Sequence, residues 1–179
     1  MYQYKNPKEL FHGKRVDFLS IEVEDPQGKT ICQEIISHPG AVVILPLLDK
    51  ERIILIQNRR EAVQEVLWEL PAGTLEKQED PLMCAARELE EETGYRAGEI
   101  THLFNCYSTP GFCNEKLYIY RATDLTQRIQ KLDAMEEIKV VVIKLMKALE
   151  MIKAGTIRDS KTIATLLYFV SFIKEPYPH

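Results

Sequence analysis

The sequence contains few cysteines and no excess of positive charge, and these two absences exclude several classes of protein. Four cysteines occur in 179 residues, and no two of them form a C-x-x-C pair. A thiolate metal site or a disulfide framework is therefore not expected. Lys and Arg total 23 against 27 for Asp and Glu, which gives a net charge of −4. This balance argues against a nucleic-acid partner bound by a basic surface.

Long apolar runs are also absent. The segment TIATLLYFVSFI, residues 162–173, is shorter than the roughly 18 residues of a membrane span, and we interpret it as a buried helix. The segment MYQYKNPKELFHGKR is polar and lacks an apolar core like that of a signal peptide. We therefore expect no membrane partner and a reducing, cytoplasmic location.

Several segments have the apolar alternation or the β-branched runs that predict strands. Residues 15–36 are interrupted by the turn-forming DPQGKT, which predicts an antiparallel hairpin. Further strands are predicted in AVVILPLL, RIILIQN, ITHLFNCYSTPG, EKLYIYRAT and EEIKVVVIKL. We therefore predict that residues 1–38 form an N-terminal β-hairpin region and that residues 39–179 form a sheet-and-helix domain of mixed α/β class.

Helix signals occur in three places. Asp80 followed by Pro81 is typical of an N-cap and a first helical residue, and Gly94 is typical of a helix end, so a helix is predicted over residues 81–93. A second helix is predicted in LMKALEMIKAG, ending at Gly155. A third is predicted to begin near Asp159 and to continue through KTIATLLYFVSFIKE.

The first of these helices carries Glu88, Glu90, Glu91 and Glu92 within five positions. At about 100° per residue, Glu88, Glu91 and Glu92 point to one flank and Glu90 points elsewhere. Like charges three or four residues apart repel on a helix. The alternatives are a solvated acidic face and a site for a divalent cation such as Mg²⁺, which prefers carboxylate oxygens and bridges to phosphates.

The segment around these glutamates resembles the Nudix box, G-x5-E-x7-R-E-U-x-E-E-x-G-U, where U is bulky and apolar. All seven fixed positions match, namely Gly73, Glu79, Arg87, Glu88, Glu91, Glu92 and Gly94. The resemblance implies an α/β/α sandwich with a mixed sheet, preceded here by the small antiparallel β region. It also implies that Mg²⁺, or alternatively Mn²⁺, is held by Glu88, Glu91, Glu92 and the carbonyl of Ala72. Arg87 and Glu79 would form an orienting ion pair, and Gly73 and Gly94 would be structural.

Other segments resemble the ADP-ribose pyrophosphatase branch of that family: ISHPGAVVILPL, IQNRR, LWELPAG and STPGFCNE. The resemblance implies hydrolysis of ADP-ribose to AMP and ribose 5-phosphate. By position, the substrate-binding residues would be Gln33, Glu34, Arg59, Thr74, Thr109, Pro110, Gly111 and Glu115. Members of the branch often carry Arg-Glu where this chain has Gln33-Glu34. The alternative is therefore another nucleoside diphosphate sugar or a dinucleotide.

The catalytic glutamates and the assembly are also predicted from the resemblance. Glu136 and Glu137 are candidates for the general base, with a third metal ligand or a solvated position as alternatives, and Glu91 is a further candidate. Arg59 could instead form a surface ion pair. The N-terminal β region exchanges between subunits in the resembling enzymes, which implies a homodimer. A further alternative is a nucleotide-binding module without catalysis, although such modules commonly lose box glutamates.

Overall fold

The structure, a computed structural model, describes residues 5–132 and 137–173. None of the described helices is long and apolar enough to cross a membrane. In chain order the elements are β1 (Lys5–His12), β2 (Asp17–Glu24), β3 (Thr30–Ser37), β4 (Ala41–Pro46), β5 (Arg52–Arg60), β6 (Glu65–Glu69), β7 (Ala72–Thr74), α1 (Pro81–Thr93), β8 (Tyr95–Arg96), β9 (Glu99–Tyr107), β10 (Lys116–Thr123), β11 (Thr126–Gln127), β12 (Ile138–Lys144), α2 (Leu145–Lys153), α3 (Ser160–Tyr168) and a π-helical turn, Phe169–Ile173.

Strand β4 lies at the centre of the fold, and all six of its residues are buried. Successive side chains of a strand point to opposite faces. Val43 and Leu45 accordingly pack in a cluster that contains the buried residues of α2 and α3. Val42 and Ile44 pack in a second cluster with residues of α1, including Leu89. Helices therefore cover both faces, and the predicted α/β/α sandwich is confirmed.

Two sheets form the body of this sandwich. Strands β4 and β10 pair in parallel, and β7 and β9 flank them in the antiparallel sense, so the order of this mixed sheet is β7-β4-β10-β9. Strand β5 lies between β12 and β6 in an antiparallel three-stranded sheet. Strand β7 leads into the loop before α1, and the edge of the mixed sheet lies beside that helix, with Gly73 next to Glu88 and Ala72 next to Glu92.

The N-terminal region is a third, antiparallel sheet of order β1-β2-β3. The hairpin of β2 and β3 occurs where the alternation predicts it, and Asp25 accepts hydrogen bonds from the backbone of Gln27 and Lys29 in its turn. Strand β1 was not predicted, because KNPKELFH shows no sustained alternation of apolar and polar residues. This strand lies at the edge of the sheet and pairs with β2 alone. The sheet contacts the rest of the chain where Ile36 N donates to the Phe112 carbonyl at 2.7 Å.

Helices α1 and α3 begin where their caps predict, whereas α2 has no side-chain cap and ends at Lys153, two residues before the predicted Gly155. Asp80 accepts hydrogen bonds from the backbone of Leu82 and Met83, and Gly94 ends α1 with φ of 68°. Asp159 accepts from Thr162 N at the start of α3. The third helix was predicted to run through residue 175, but the α-helix ends at Tyr168 and continues as the π-helical turn to Ile173.

Candidate active site

The site begins with a close approach between β7 and α1. A Cβ atom added to Gly73 would overlap the carboxylate of Glu88. Any side chain at position 73 would therefore displace that carboxylate, which explains the need for glycine in physical terms. Gly94 is required for a different reason, since its positive φ is a conformation that other residues adopt at a cost.

The guanidinium of Arg87 donates charge-assisted hydrogen bonds to three glutamates. Its Nε and Nη2 donate to the two oxygens of Glu79, both at 2.9 Å. Its Nη1 donates to Glu88 at 2.7 Å and to Glu91 at 3.0 Å. The hydrogen bond from Arg87 holds the pKa of Glu79 at about 2, and these carboxylates raise the pKa of Arg87. Arg87 and Glu79 thus form the ion pair that the sequence predicts.

Glu88, Glu91 and Glu92 line one cavity of about 200 Å³, together with the backbone segment from Ala72 to Thr74. Glu92 is only 3% exposed, and its Oε2 accepts a hydrogen bond from Ala72 N at 2.9 Å. Glu90 lies outside this cavity and borders a different surface depression. The three glutamates therefore share one flank of α1, as the helical spacing predicts. We refer to this space as the carboxylate cavity.

The donor atoms of the carboxylate cavity fit a hard divalent cation. The three carboxylates supply only oxygen ligands, and Ala72, whose carbonyl is the fourth predicted ligand, lines the same cavity. Mg²⁺ and Mn²⁺ prefer such oxygen donors, whereas a softer ion would favour sulfur or imidazole. The missing Cβ of Gly73 leaves room for the Glu88 carboxylate beside the backbone. Of the predicted ligands, all four thus line the same cavity.

A second cavity of about 300 Å³ adjoins the first and shares Arg60 and the Ala72–Thr74 segment with it. Its other walls come from Ala41 of β4, from Ser108, Glu115 and Leu117, and from the start of α3 at Asp159, Ser160 and Lys161. Among the predicted substrate-binding residues, Thr74 lines both cavities and Glu115 lines the second. We refer to this space as the side cavity.

A buried ion-pair network connects the two cavities. Glu69 is fully buried, and it accepts hydrogen bonds from Arg60 Nε at 2.8 Å, from Arg60 Nη2 at 2.7 Å and from Lys161 Nζ at 2.6 Å. Lys161 also donates to Asp159 at 2.7 Å. Burial alone would raise the pKa of Glu69, but Arg60 and Lys161 outweigh that effect and lower the pKa. Arg60 Nη1 makes no hydrogen bond to any described residue.

Arg60, and not the predicted Arg59, reaches the cavities. Arg59 lies on the other face of β5, is 48% exposed and donates to Glu61 at 2.6 Å. Arg60 pairs with Glu65 of β6, and Ile56 pairs with Glu69. The two pairs are four positions apart, an even number, so Arg60 and Glu69 lie on the same face. The resemblance implies the first arginine of IQNRR. Strand alternation relative to the buried Glu69 would have selected the second.

Several other predicted residues lie outside both cavities. Gln33 and Glu34 are exposed on β3. Thr109, Pro110 and Gly111 form a tight turn in which the Thr109 carbonyl accepts from the backbone of residues 112 and 113. This turn precedes Glu115 and β10 in the chain but does not line the carboxylate cavity or the side cavity.

The three candidate catalytic glutamates have different positions. Glu91 lines the carboxylate cavity and is 41% exposed. Glu137 is exposed, directly precedes β12 and lies near Arg59, whose pKa its charge helps to raise. Glu136 lies outside the described residues. Glu91 is therefore the one of the three that the described residues place beside the predicted metal ligands.

Four cations border the cavities and were not predicted: Arg15, Arg60, Lys131 and Lys161. None of them belongs to the Nudix box, and each is distant from it in sequence. Lys131 is joined to α1 through its backbone, since Lys131 N donates to the Glu91 carbonyl at 3.0 Å. Only the tertiary fold brings these side chains to the glutamates of α1.

Comparison with known proteins agrees with this geometry. The model of the NUDIX domain family matches residues 37–166. The chain is 37% identical over 163 residues to the ADP-ribose pyrophosphatase of Bacillus subtilis (strain 168), covering 90% of this chain and 88% of that one. It is 36% identical over 163 residues to the methanol dehydrogenase activator of Bacillus methanolicus, again covering 90% and 88%.

A crystal structure of an ADP compounds hydrolase superposes with a TM-score of 0.82, covering 96% of this chain and 94% of that one. The sequence identity of that pair is 21%, so the likeness concerns the fold. Because the superposition extends over nearly the whole chain, the N-terminal sheet is part of the shared architecture.

Proposed function

The chain belongs to the NUDIX domain family, and from that premise we propose that it is a hydrolase that cleaves the diphosphate of ADP-ribose to AMP and ribose 5-phosphate with Mg²⁺ or Mn²⁺. The observation that carries the proposal is the convergence of Glu88, Glu91 and Glu92 on one cavity that also contains the Ala72–Thr74 backbone. The similarity to the ADP-ribose pyrophosphatase of Bacillus subtilis supports the choice of substrate.

The chemistry is the addition of water across a P–O–P bridge. Water forms a new bond to one phosphorus, the bridging P–O bond breaks, and two phosphomonoesters leave. A bound divalent ion supplies neutralisation of phosphate charge and activation of water. Glu88, Glu91 and Glu92 would hold that ion with the Ala72 carbonyl. Arg87 holds the carboxylates of Glu88 and Glu91 in orientation through its Nη1.

Arg60 is the residue we assign to the phosphate. Two of its nitrogens are fixed by Glu69, which orients the guanidinium, while Nη1 is available to donate to a phosphate oxygen. Arg60 borders both cavities. We therefore propose that the diphosphate lies at their junction and that one end of the substrate extends into the side cavity, towards Glu115.

The general base remains one of the three predicted glutamates, and we propose Glu91, with Glu136 and Glu137 as the alternatives. A base must reach its water within hydrogen-bond distance, and Glu91 already lies in the carboxylate cavity. Single Glu→Gln variants at the three positions are compared by kcat, pH profile and Mn²⁺ affinity. Loss of the base lowers kcat and removes the acidic limb of the pH profile with Mn²⁺ affinity unchanged, loss of a metal ligand lowers Mn²⁺ affinity as well, and loss of a solvated glutamate changes none of the three.

Product analysis tests the proposed activity. The protein is incubated with Mg²⁺ and, separately, with ADP-ribose, UDP-glucose, GDP-mannose and NADH. Selective formation of AMP from ADP-ribose, abolished by EDTA, is the expected result. Preference for another substrate would favour the alternative of a different nucleoside diphosphate sugar or a dinucleotide. Nucleotide binding without any product would favour a non-catalytic module.

The variant Glu92→Gln tests the metal assignment. Glu92 is almost fully buried beside the backbone of Ala72, and its amide variant keeps the shape while removing the charge. We expect turnover to fall by orders of magnitude, with the circular dichroism spectrum unchanged and Mn²⁺ affinity reduced. Near-full activity of this variant would contradict the metal assignment.

We also propose that residues 1–38 form a dimerisation region. The N-terminal sheet exposes large apolar side chains, with Leu10 at 46%, Phe11 at 65%, Phe18 at 40% and Ile31 at 44% exposure. A second copy of the chain would cover them. Light scattering should give the mass of a dimer, and Phe11→Asp should shift it towards the monomer.

We propose the cytoplasm as the compartment. All four cysteines are free, as in a reducing compartment.

A further inference from the structure

The N-terminal sheet contributes a residue to the active site of its own subunit. Arg15, in the turn between β1 and β2, lines the carboxylate cavity together with Glu88, Glu91 and Glu92. Among the described residues that line this cavity, it is the one that lies outside the part of the chain matched by the family model. The family domain therefore does not form this cavity by itself.

The turn that carries Arg15 is held by several contacts. Gly13 N donates to the Val16 carbonyl at 3.1 Å, and a Cβ atom at Gly13 would lie 2.5 Å from that oxygen. On either side of the turn, His12 and Asp17 are paired across β1 and β2, and their side chains meet at 2.6 Å. Because the turn closes this tightly, it fixes where the Arg15 side chain starts.

Arg15 differs from the other arginines of the carboxylate cavity in the hydrogen-bond partners of its guanidinium. The guanidinium of Arg87 is bonded to three glutamates, and that of Arg60 is bonded to Glu69. No ion pair or hydrogen bond joins the Arg15 side chain to another residue in the described ranges 5–132 and 137–173. An arginine beside this cavity, with no carboxylate partner in the part of the chain that the structure describes, can bind an incoming anion.

We propose that Arg15 is a substrate-binding residue that donates hydrogen bonds to the phosphate oxygens of the diphosphate. This inference rests on the proposed function and assigns the N-terminal sheet a role in it. A cation at this position repels a metal ion that arrives alone. When the metal ion arrives bound to a diphosphate, the cation attracts the phosphate oxygens. Arg15 therefore favours the substrate complex over the metal alone.

The test compares Arg15→Gln and Arg15→Lys with the matched control Lys14→Gln. Lys14 lies in the same turn and carries the same charge, but it lines neither cavity. Calorimetry measures the binding of inorganic pyrophosphate in the presence of Mg²⁺, and steady-state kinetics measures kcat/KM for ADP-ribose. Thermal unfolding of each variant shows that the fold is intact.

We expect Arg15→Gln to weaken pyrophosphate binding and to lower kcat/KM by about ten- to a hundredfold, as loss of a charge-assisted hydrogen bond does. Arg15→Lys should fall between this variant and the wild type. Lys14→Gln should stay within about twofold of the wild type, since an exposed charge that does not contact the diphosphate is screened by salt. Mn²⁺ binding without pyrophosphate should not be weakened by Arg15→Gln.

Other results overturn the inference. Equal losses in Arg15→Gln and Lys14→Gln would show a general effect of surface charge, and no loss in Arg15→Gln would show that the side chain does not touch the diphosphate. Failure of the wild type to bind pyrophosphate with Mg²⁺ would also overturn it. If the wild type binds pyrophosphate through Arg15 but cleaves no nucleotide sugar, the proposed function fails and the Arg15 assignment stands.

Discussion

Replacement of Glu69 by Gln is the sharpest test of the network that positions Arg60. Glu69 accepts three hydrogen bonds from Arg60 and Lys161, and its side chain is 1% exposed. Glutamine keeps the shape and one acceptor oxygen, but its amide group presents hydrogens to donors that need acceptors. The variant therefore leaves Arg60 without the carboxylate that balances it, and Lys161 with Asp159 alone.

The magnitude follows from the exposure of the partners. Removing one member of a fully buried ion pair costs about 3–5 kcal/mol. The side chains of Arg60 and Lys161 are 38% and 17% exposed, so water compensates part of that loss, and we expect about 2–3 kcal/mol. For a chain of this size, 1 kcal/mol changes Tm by about 2–4 °C. Glu69→Gln should therefore lower Tm by about 4–12 °C.

The same strand supplies a matched control. Glu65 lies on the same face of β6 and pairs with Arg158 on the surface, where the two side chains are 44% and 57% exposed. Such a pair contributes about 0–1 kcal/mol, so Glu65→Gln should change Tm by only a few degrees. Denaturant unfolding gives the two free energies, and steady-state kinetics should show that only Glu69→Gln raises KM, because Arg60 loses its orientation.

Equal destabilisation by the two substitutions would refute the argument from burial. An unchanged KM in Glu69→Gln, alongside the expected loss of stability, would show that Arg60 does not depend on Glu69 for its position. In that case the network stabilises the fold without serving the site.

Two further predictions follow from the box itself. Gly73→Ala should abolish most activity and weaken Mn²⁺ binding, because the new Cβ would displace the Glu88 carboxylate. The control is Gly111→Ala, which adds a Cβ with no atom within 4 Å. It should leave both the activity and the Mn²⁺ affinity unchanged. Glu79 has a folded-state pKa of about 2 against an ordinary value of 4.5, so its stabilisation is present above about pH 4.5 and is lost as the pH falls towards 2. The difference in Tm between wild type and Glu79→Gln should therefore shrink over that range, and a constant difference would contradict the assignment of the low pKa to this pair.

The parts of the site that depend on local spacing could be predicted from the sequence. Three glutamates at helical spacing must share a flank, and Asp80 and Gly94 determine where their helix begins and ends. The seven fixed positions of the box extend this local logic to Gly73. For these residues the distance along the chain determines the distance in space, because they lie on one helix and on the short strand and loop that lead into it.

The choice between Arg59 and Arg60 required information about pairing. Adjacent strand residues point to opposite faces, so an error of one position changes a surface ion pair into a residue of the active site. The side that faces the cavity is determined by the register of β5 against β6, which places Arg60 on the face of Glu69. The sequence contains both residues of this pair but does not state the register.

The cations of the site come from elements that are far apart in the chain, whereas the carboxylates of the box come from one helix. Arg15 comes from the turn between β1 and β2, Arg60 from the end of β5, Lys131 from the segment after β11 and Lys161 from the first turn of α3. The acidic side of the site is thus encoded in one continuous segment, whereas the basic side exists only after the sheets have paired. Variants that loosen the N-terminal sheet should therefore affect substrate binding before they affect metal binding.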